Sequence, residues 1–143
     1  MSRSNRVTPP WRPGTPQQPE QFTPKTILLV EDNDGVRQFI TRILTGDGYQ
    51  VIEANDGRQA LGVLARDTPI DLLLTDVVMP GLTGFEVASH FIAARNVPVL
   101  FISGYAQERT DIPGPILRKP FTPTALLDTV RRLLEIANPS LRH

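Results

Sequence analysis

Five polar residues stand where short apolar runs stop. Glu31 and Asp32 follow Thr26–Val30, Asp76 closes Asp71–Asp76, Ser103 follows Val97–Ile102, and Lys119 follows Ile116–Arg118. Three carboxylates brought together repel one another unless one takes up a proton or a cation joins them. A small, highly charged, all-oxygen site favours Mg²⁺ or Mn²⁺ over zinc. A carboxylate is also a nucleophile able to form an acyl phosphate. Phosphoryl transfer needs charge neutralisation on the equatorial oxygens, which a metal, a lysine and a hydroxyl or backbone N–H supply. Each residue alone has an ordinary reading. Glu31-Asp32 would complement the dipole of a following helix, Asp76 would lead the turn Met79-Pro80-Gly81, Ser103-Gly104 would open a loop, and Lys119 beside Pro120 would be solvated. That all five terminate apolar runs argues for a shared site.

The elements that must position them follow from periodicity. Short continuous apolar runs suit strands buried on both faces, as in parallel sheets. Five are expected: Thr26–Val30, Gln50–Glu53, Asp71–Asp76, Val97–Ile102 and Ile116–Arg118. Between them lie helical patterns. Val36, Ile40, Ile43 and Leu44 share one helical face, and Gly46 and Gly48 end it. Asn55 or Asp56 can cap a helix with Ala60, Leu61 and Leu64 inward. Thr83 or Gly84 starts one with Ala88, Phe91 and Ile92 inward, and Thr122 caps the last, with Leu126, Val130, Leu133, Leu134 and Ala137 inward. Alternating strands and helices predict an open, doubly wound α/β sheet with right-handed connections. Ligands of such sheets bind at the carboxyl ends of the strands, where the five polar residues fall.

Composition narrows the classes. The 143 residues suit one domain, and 15 basic against 15 acidic residues give zero formal charge, unlike the basic surplus of a nucleic-acid binder. Forty per cent hydrophobic residues is too many for global disorder. With no cysteine, disulfides, thiolate catalysis and cysteine metal sites are excluded. The two histidines, His90 and His143, exclude a multi-histidine site. Apolar runs of four or five residues fall short of the roughly 20 that span a bilayer. A cytoplasmic protein is expected. Six of the 14 prolines lie in the first 24 residues, so 1–24 reads as a flexible or polyproline-like tail, with Trp11 its one aromatic. The domain is expected over 25–138, with 139–143 a C-terminal tail.

The stretches LLVEDN (28–33), LLLTDVVMPGLTGFE (72–86), PVLFISGY (98–105) and LRKPF (117–121), in this order and spacing, resemble the receiver domain of two-component response regulators. The resemblance implies a flavodoxin-like five-stranded parallel sheet of order 2-1-3-4-5. It makes Asp76 the phosphoacceptor. Glu31 and Asp32 become the acidic pair that binds Mg²⁺ (or Mn²⁺), with Asp76 and the backbone carbonyl of Val78 as further ligands. It makes Ser103 the switch hydroxyl, Lys119 the lysine that pairs with the phosphoryl group, and Pro120 its cis-peptide neighbour. The implied partners are a histidine kinase or histidine phosphotransfer protein and a weak or phosphorylation-dependent dimer, with no direct nucleic-acid contact and no membrane insertion.

The sequence departs from the family twice. Ile116 stands three residues before the lysine, where the family usually has a rotating Phe or Tyr; Ile is stiff at χ1. Tyr105, two after Ser103 and next to Gly104, is a candidate for a related role. The link from Ser103 to Lys119 is short and holds Pro113-Gly114-Pro115. The helix between the fourth and fifth strands is therefore expected to be missing or reduced to one or two turns around Gln107–Thr110. The chain is expected to be a stand-alone regulator or the C-terminal receiver of a hybrid histidine kinase. The alternative is a small Mg²⁺-dependent phosphatase with an aspartyl-phosphate intermediate. It would need a second acid two residues after the nucleophile, where Val78 stands, so no enzyme activity beyond self-catalysed phosphoryl transfer and hydrolysis is expected.

Overall fold

Every expected apolar run becomes a strand, and the three central strands send their side chains to two covered faces. The computed structural model describes residues 23–104 and 114–137; the expectations for the N-terminal tail with Trp11, for Tyr105 and Gln107–Thr110, and for 139–143 lie outside them. Strands β1 (Thr26–Val30), β2 (Gln50–Ala54), β3 (Leu72–Asp76), β4 (Val99–Ser103) and β5 (Ile116–Arg118) alternate with helices α1 (Asp34–Gly46), α2 (Gly57–Ala65), α3 (Gly84–Arg95) and α4 (Pro123–Ala137). All pairings are parallel, and the order is β2-β1-β3-β4-β5. The flavodoxin-like order expected from the sequence is the one observed.

Because side chains alternate along a strand, each central strand feeds two cores. Leu28, Val30, Leu73 and Phe101 pack with Ala60, Val63, Val87 and Phe91 of α2 and α3. Ile27, Leu29, Leu74, Leu100 and Ile102 pack on the opposite face with Ile40, Leu44, Leu126, Val130 and Leu134 of α1 and α4. Burying one such side chain stabilises by about 1.5–3 kcal/mol. This double coverage is why β1, β3 and β4 read as unbroken apolar runs rather than alternating ones.

Some inward faces differ from expectation. On α2 the buried residues are Gly57, Ala60 and Val63, with Leu61 and Leu64 at the margin. Val87 joins Ala88 and Phe91 on α3, and Ala137 is exposed at the end of α4. Helices of nine and 12 residues between a sheet and each other carry a broad apolar sector, so period alone misassigns its edges. His90 is exposed on α3.

The caps are local and explicit. Asn33 accepts from Val36 N at 2.9 Å and Asp56 from Gln59 N at 2.9 Å. Thr83 and Glu86 form a reciprocal capping box, and Thr122 accepts from Ala125 N at 3.0 Å. At the far end of α3, Arg95 donates to the carbonyls of Leu64 and Thr68 beyond the last turn of α2 and faces Asp67 at 3.5 Å.

Thr83→Ala removes one half of the capping box. It should lower stability by about 1 kcal/mol in urea unfolding, whereas Ser89→Ala, on an exposed hydroxyl that donates to Phe85 O within its own helix, should change it by less than about 0.5 kcal/mol.

Candidate functional site

The carboxyl ends of β1, β3, β4 and β5 deliver the polar residues to one edge of the sheet. Glu31 follows β1 directly, and Asp76 is the last residue of β3, paired in register with Ile102. Ser103 ends β4, and its carbonyl accepts the N–H of Lys119 at 2.8 Å. Glu31 is 1% exposed, Asp76 6% and Ser103 0%, whereas Asp32 is exposed. The three acids each place one carboxylate oxygen within 4.8 Å of the others.

Lys119 resolves the repulsion. Its Nζ lies 3.2 Å from Glu31 Oε1 and 3.2 Å from Asp76 Oδ2. Burial works against its charge, but Asp76 and Glu31 together outweigh that and hold its pKa above the ordinary lysine value. Burial pushes the Glu31 carboxyl above its ordinary value, and Asp76 adds to the shift. The Asn33 N–H and Lys119 pull against it; Asn33 N donates to Glu31 Oε2 at 3.0 Å. Val78 N approaches Asp76 Oδ1 at 3.4 Å. The peptide between Lys119 and Pro120 is cis, as the resemblance implied.

These groups line a cleft of about 420 Å³ with Asn33, Val36, Val78 and Gly104. At roughly 30 Å³ per water, that volume accommodates a hydrated cation and a tetrahedral anion side by side. The donor set fits a hard divalent cation: carboxylate oxygens without nitrogen or sulfur. Glu31, Asp32 and Asp76 could hold it, and Val78, 51% exposed, is at the cleft mouth.

Ile116 is half-buried and packs against the core cluster that contains Phe101, and its backbone pairs with Phe101 across the sheet. Phe101 in turn meets Phe85 edge-on, with ring centroids 4.9 Å apart. Pro120 is exposed beside the site. Tyr105 lies outside the described residues. Sequence reasoning passed over Asn33, which caps α1 and donates to Glu31, and Arg37, whose guanidinium bonds the Glu31 carbonyl at 2.9 Å. The available signal was a basic residue one turn into a helix, between Asp34 and the strand-end Glu53.

Gly84 holds the acid edge in place. A Cβ there would fall onto the carbonyl oxygen of Asp76 and come within 3.0 Å of its carbon, while Gly84 N donates to Val77 O at 2.9 Å. The first turn of α3 thus rests directly on the backbone of Asp76.

An open parallel α/β sheet with an acidic, lysine-paired cleft at its strand ends defines the class. The comparisons supply the family: the model of the response regulator receiver domain matches residues 27–131, and the chain belongs to that family, the receiver domains of two-component signalling. The response regulator receiver protein CpdR of Brucella abortus is 33% identical over 117 residues, covering 77% of this chain and 97% of that protein. The crystal structure of the receiver domain of the hybrid histidine kinase CckA has a TM-score of 0.64 at 38% identity, covering 76% of this chain and 98% of that one. The structure of TrrA of Thermotoga maritima, in complex with Mg²⁺ and BeF, has a TM-score of 0.70 at 27% identity over 76% of this chain and 98% of that one. Other curated response regulators are longer, and the chain spans 32–53% of the length of five of them. No helix among the described residues is long and apolar enough to cross a membrane.

Gly84→Ala should force α3 away from Asp76. The expected outcome is a loss of about 1–3 kcal/mol in urea unfolding, together with a shift in the backbone amide resonances of Asp76 and Val77. Stability and resonances both matching the native chain would show that the contact has slack.

Proposed function

We propose that the chain is a Mg²⁺-dependent phosphoacceptor, phosphorylated on Asp76 by a histidine kinase or a histidine phosphotransfer protein, and that phosphorylation alters partner binding or passes the group onward. The observation that carries this reading is the single Lys119 ammonium shared by Glu31 and Asp76 at 3.2 Å each, beside the exposed Asp32. The complex of the related TrrA with Mg²⁺ and BeF supports the same ligand chemistry here.

The roles divide by position. Glu31, Asp32 and Asp76, with the Val78 carbonyl, would hold Mg²⁺, which supplies charge neutralisation on the phosphoryl oxygens. An Asp76 carboxylate oxygen forms the bond to phosphorus as the phosphorus–nitrogen bond of the donor histidine breaks, and the ring nitrogen keeps the electron pair. Lys119, already charged and next to Asp76, turns to the transferred group and offsets its negative charge. Ser103, at the end of β4, offers a hydroxyl to the same group. The chain is not proposed as a phosphatase, since Val78 occupies the place where a second acid would do acid–base work.

Incubation with acetyl phosphate and Mg²⁺ should add one phosphoryl group, stable to acid and labile to hydroxylamine. Asp76→Asn should abolish the label. Lys119→Ala should spare Mg²⁺ binding and impair labelling. Undiminished label in Asp76→Asn would overturn the assignment.

The lifetime of that group follows from what can orient a hydrolytic water in line with the phosphorus–oxygen bond. Val78 is at the cleft and offers no side-chain hydrogen bond, and Tyr105 offers an aromatic ring two residues after Ser103. Slow hydrolysis is expected, over minutes to hours. Val78→Asn combined with Tyr105→Glu should speed loss of the label about tenfold, equivalent to about 1.4 kcal/mol of barrier. Decay of the native phosphoprotein within seconds would contradict this.

A further inference from the structure

We propose that Arg37 is a positioning residue that sets the divalent-cation affinity of the cleft by fixing the peptide between Glu31 and Asp32, not by its charge. This rests on the metal-binding reading above.

The guanidinium engages acceptors from three separate segments. Nη1 donates to the Glu31 backbone carbonyl at 2.9 Å, Nε to Glu53 Oε1 at 2.9 Å, and Nη2 to Asp34 Oδ1 at 2.6 Å. Its side chain is 13% exposed. One planar fork therefore locks the loop after β1, the end of β2 and the first turn of α1 in fixed relative positions. An ammonium, as a point donor, lacks that geometry.

The peptide held by Nη1 joins the buried acid of the cleft to its exposed one. Glu31 is anchored independently: its N–H donates to Ala54 O at 3.1 Å, and its carboxylate takes Asn33 N and Lys119 Nζ. Asp32 is exposed, and among the described residues no side-chain hydrogen bond or ion pair anchors it as Glu31 is anchored. Its carboxylate is aimed by the backbone on which it stands, and the Arg37 bond restrains that backbone one residue upstream. Mg²⁺ demands near-octahedral geometry and tolerates little displacement of its ligands.

Charge predicts the opposite effect. A cation near the cleft opposes a second cation, so deleting it would tighten binding. Here Asp34 and Glu53, bonded to the guanidinium at 2.6 and 2.9 Å, offset the charge of Arg37 where it stands, so little net positive charge from this group acts on the cleft. Partners hydrogen-bonded to metal ligands typically change affinity 10–100-fold when removed; Arg37 holds the backbone next to Asp32 rather than a ligand atom, so an effect at the low end of that range, about tenfold, is expected.

The test is calorimetric titration of the full chain with MgCl₂, without a phosphoryl donor, at low and high potassium chloride. Arg37→Met keeps the stem and removes the fork; Arg37→Lys keeps the charge and removes the fork; Asp32→Ala removes a ligand. Both Arg37 variants should bind about tenfold more weakly than the native chain, by the same ratio at both salt concentrations, and Asp32→Ala should bind more weakly still. Native-like affinity in Arg37→Lys, or tighter binding in Arg37→Met that fades with salt, would assign the effect to charge and overturn the proposal. If Arg37→Met does not fold by circular dichroism, Arg37→Lys decides alone. A native chain without Mg²⁺ binding, or one whose binding survives Asp32→Ala unchanged, overturns the metal reading and this proposal together. Native binding with unaltered Arg37 variants overturns this proposal only.

Discussion

Two buried carboxylates cannot both stay charged side by side without a cation, and Lys119 is that cation. Its ammonium reaches Glu31 from β1 and Asp76 from β3 at equal distance, while its backbone N–H is held by Ser103 of β4. One residue thus ties the carboxyl ends of four strands. In a medium of low dielectric an unpaired charge costs several kcal/mol, so the ends of these strands stand in a fixed arrangement or the charges are lost. The cleft is the place where the sheet's need for burial and the chemistry's need for charge meet.

The same arrangement leaves the cleft poised. Lys119 satisfies both acids in the absence of another cation and is half-buried doing so. On the proposed reading, Glu31, Asp32 and Asp76 would hold a divalent ion that shares the task of offsetting the acids, and Lys119 would then be available to an incoming anion. Lys119 directly follows β5, an edge strand of three residues, so on that reading a change in the Lys119 side chain would be felt first at the end of that strand. Ile116 at the start of that strand sits in the core with Phe101, so a shift at β5 reaches the core through aliphatic packing rather than through a swinging ring.

Much of this was legible in the residues. Leu28, Leu29, Leu73, Leu74, Leu100 and Ile102 are apolar without alternation because both faces of the sheet are covered, and that pattern fixes a parallel sheet. The acids, Ser103 and Lys119 were visible because each ends such a run. The strand order was not derivable from periodicity, which says nothing about neighbours; it came with the resemblance. Arg37 was invisible for a different reason: its three acceptors belong to Glu31, Asp34 and Glu53, and only folding brings β2 beside the loop after β1. Val63 and Val87 were missed because α2 and α3 bury against each other as well as against the sheet, which widens the apolar sector beyond a single stripe. Ala137 failed the other way, since its period is right but the sheet ends before the helix does.

Arg95 gives the second helix a property its own sequence lacks. At nine residues α2 is too short to be stable in isolation, and helix ends of this kind fray. The Leu64 carbonyl in its last turn, which also accepts the Asp67 N–H, and the Thr68 carbonyl just beyond it are held by the guanidinium at the end of α3. Opening the last turn of α2 therefore also breaks a bond to the end of α3, which adds to the cost of local unfolding there. The end of α2 is thereby anchored by a side chain 31 positions beyond Leu64 in the chain.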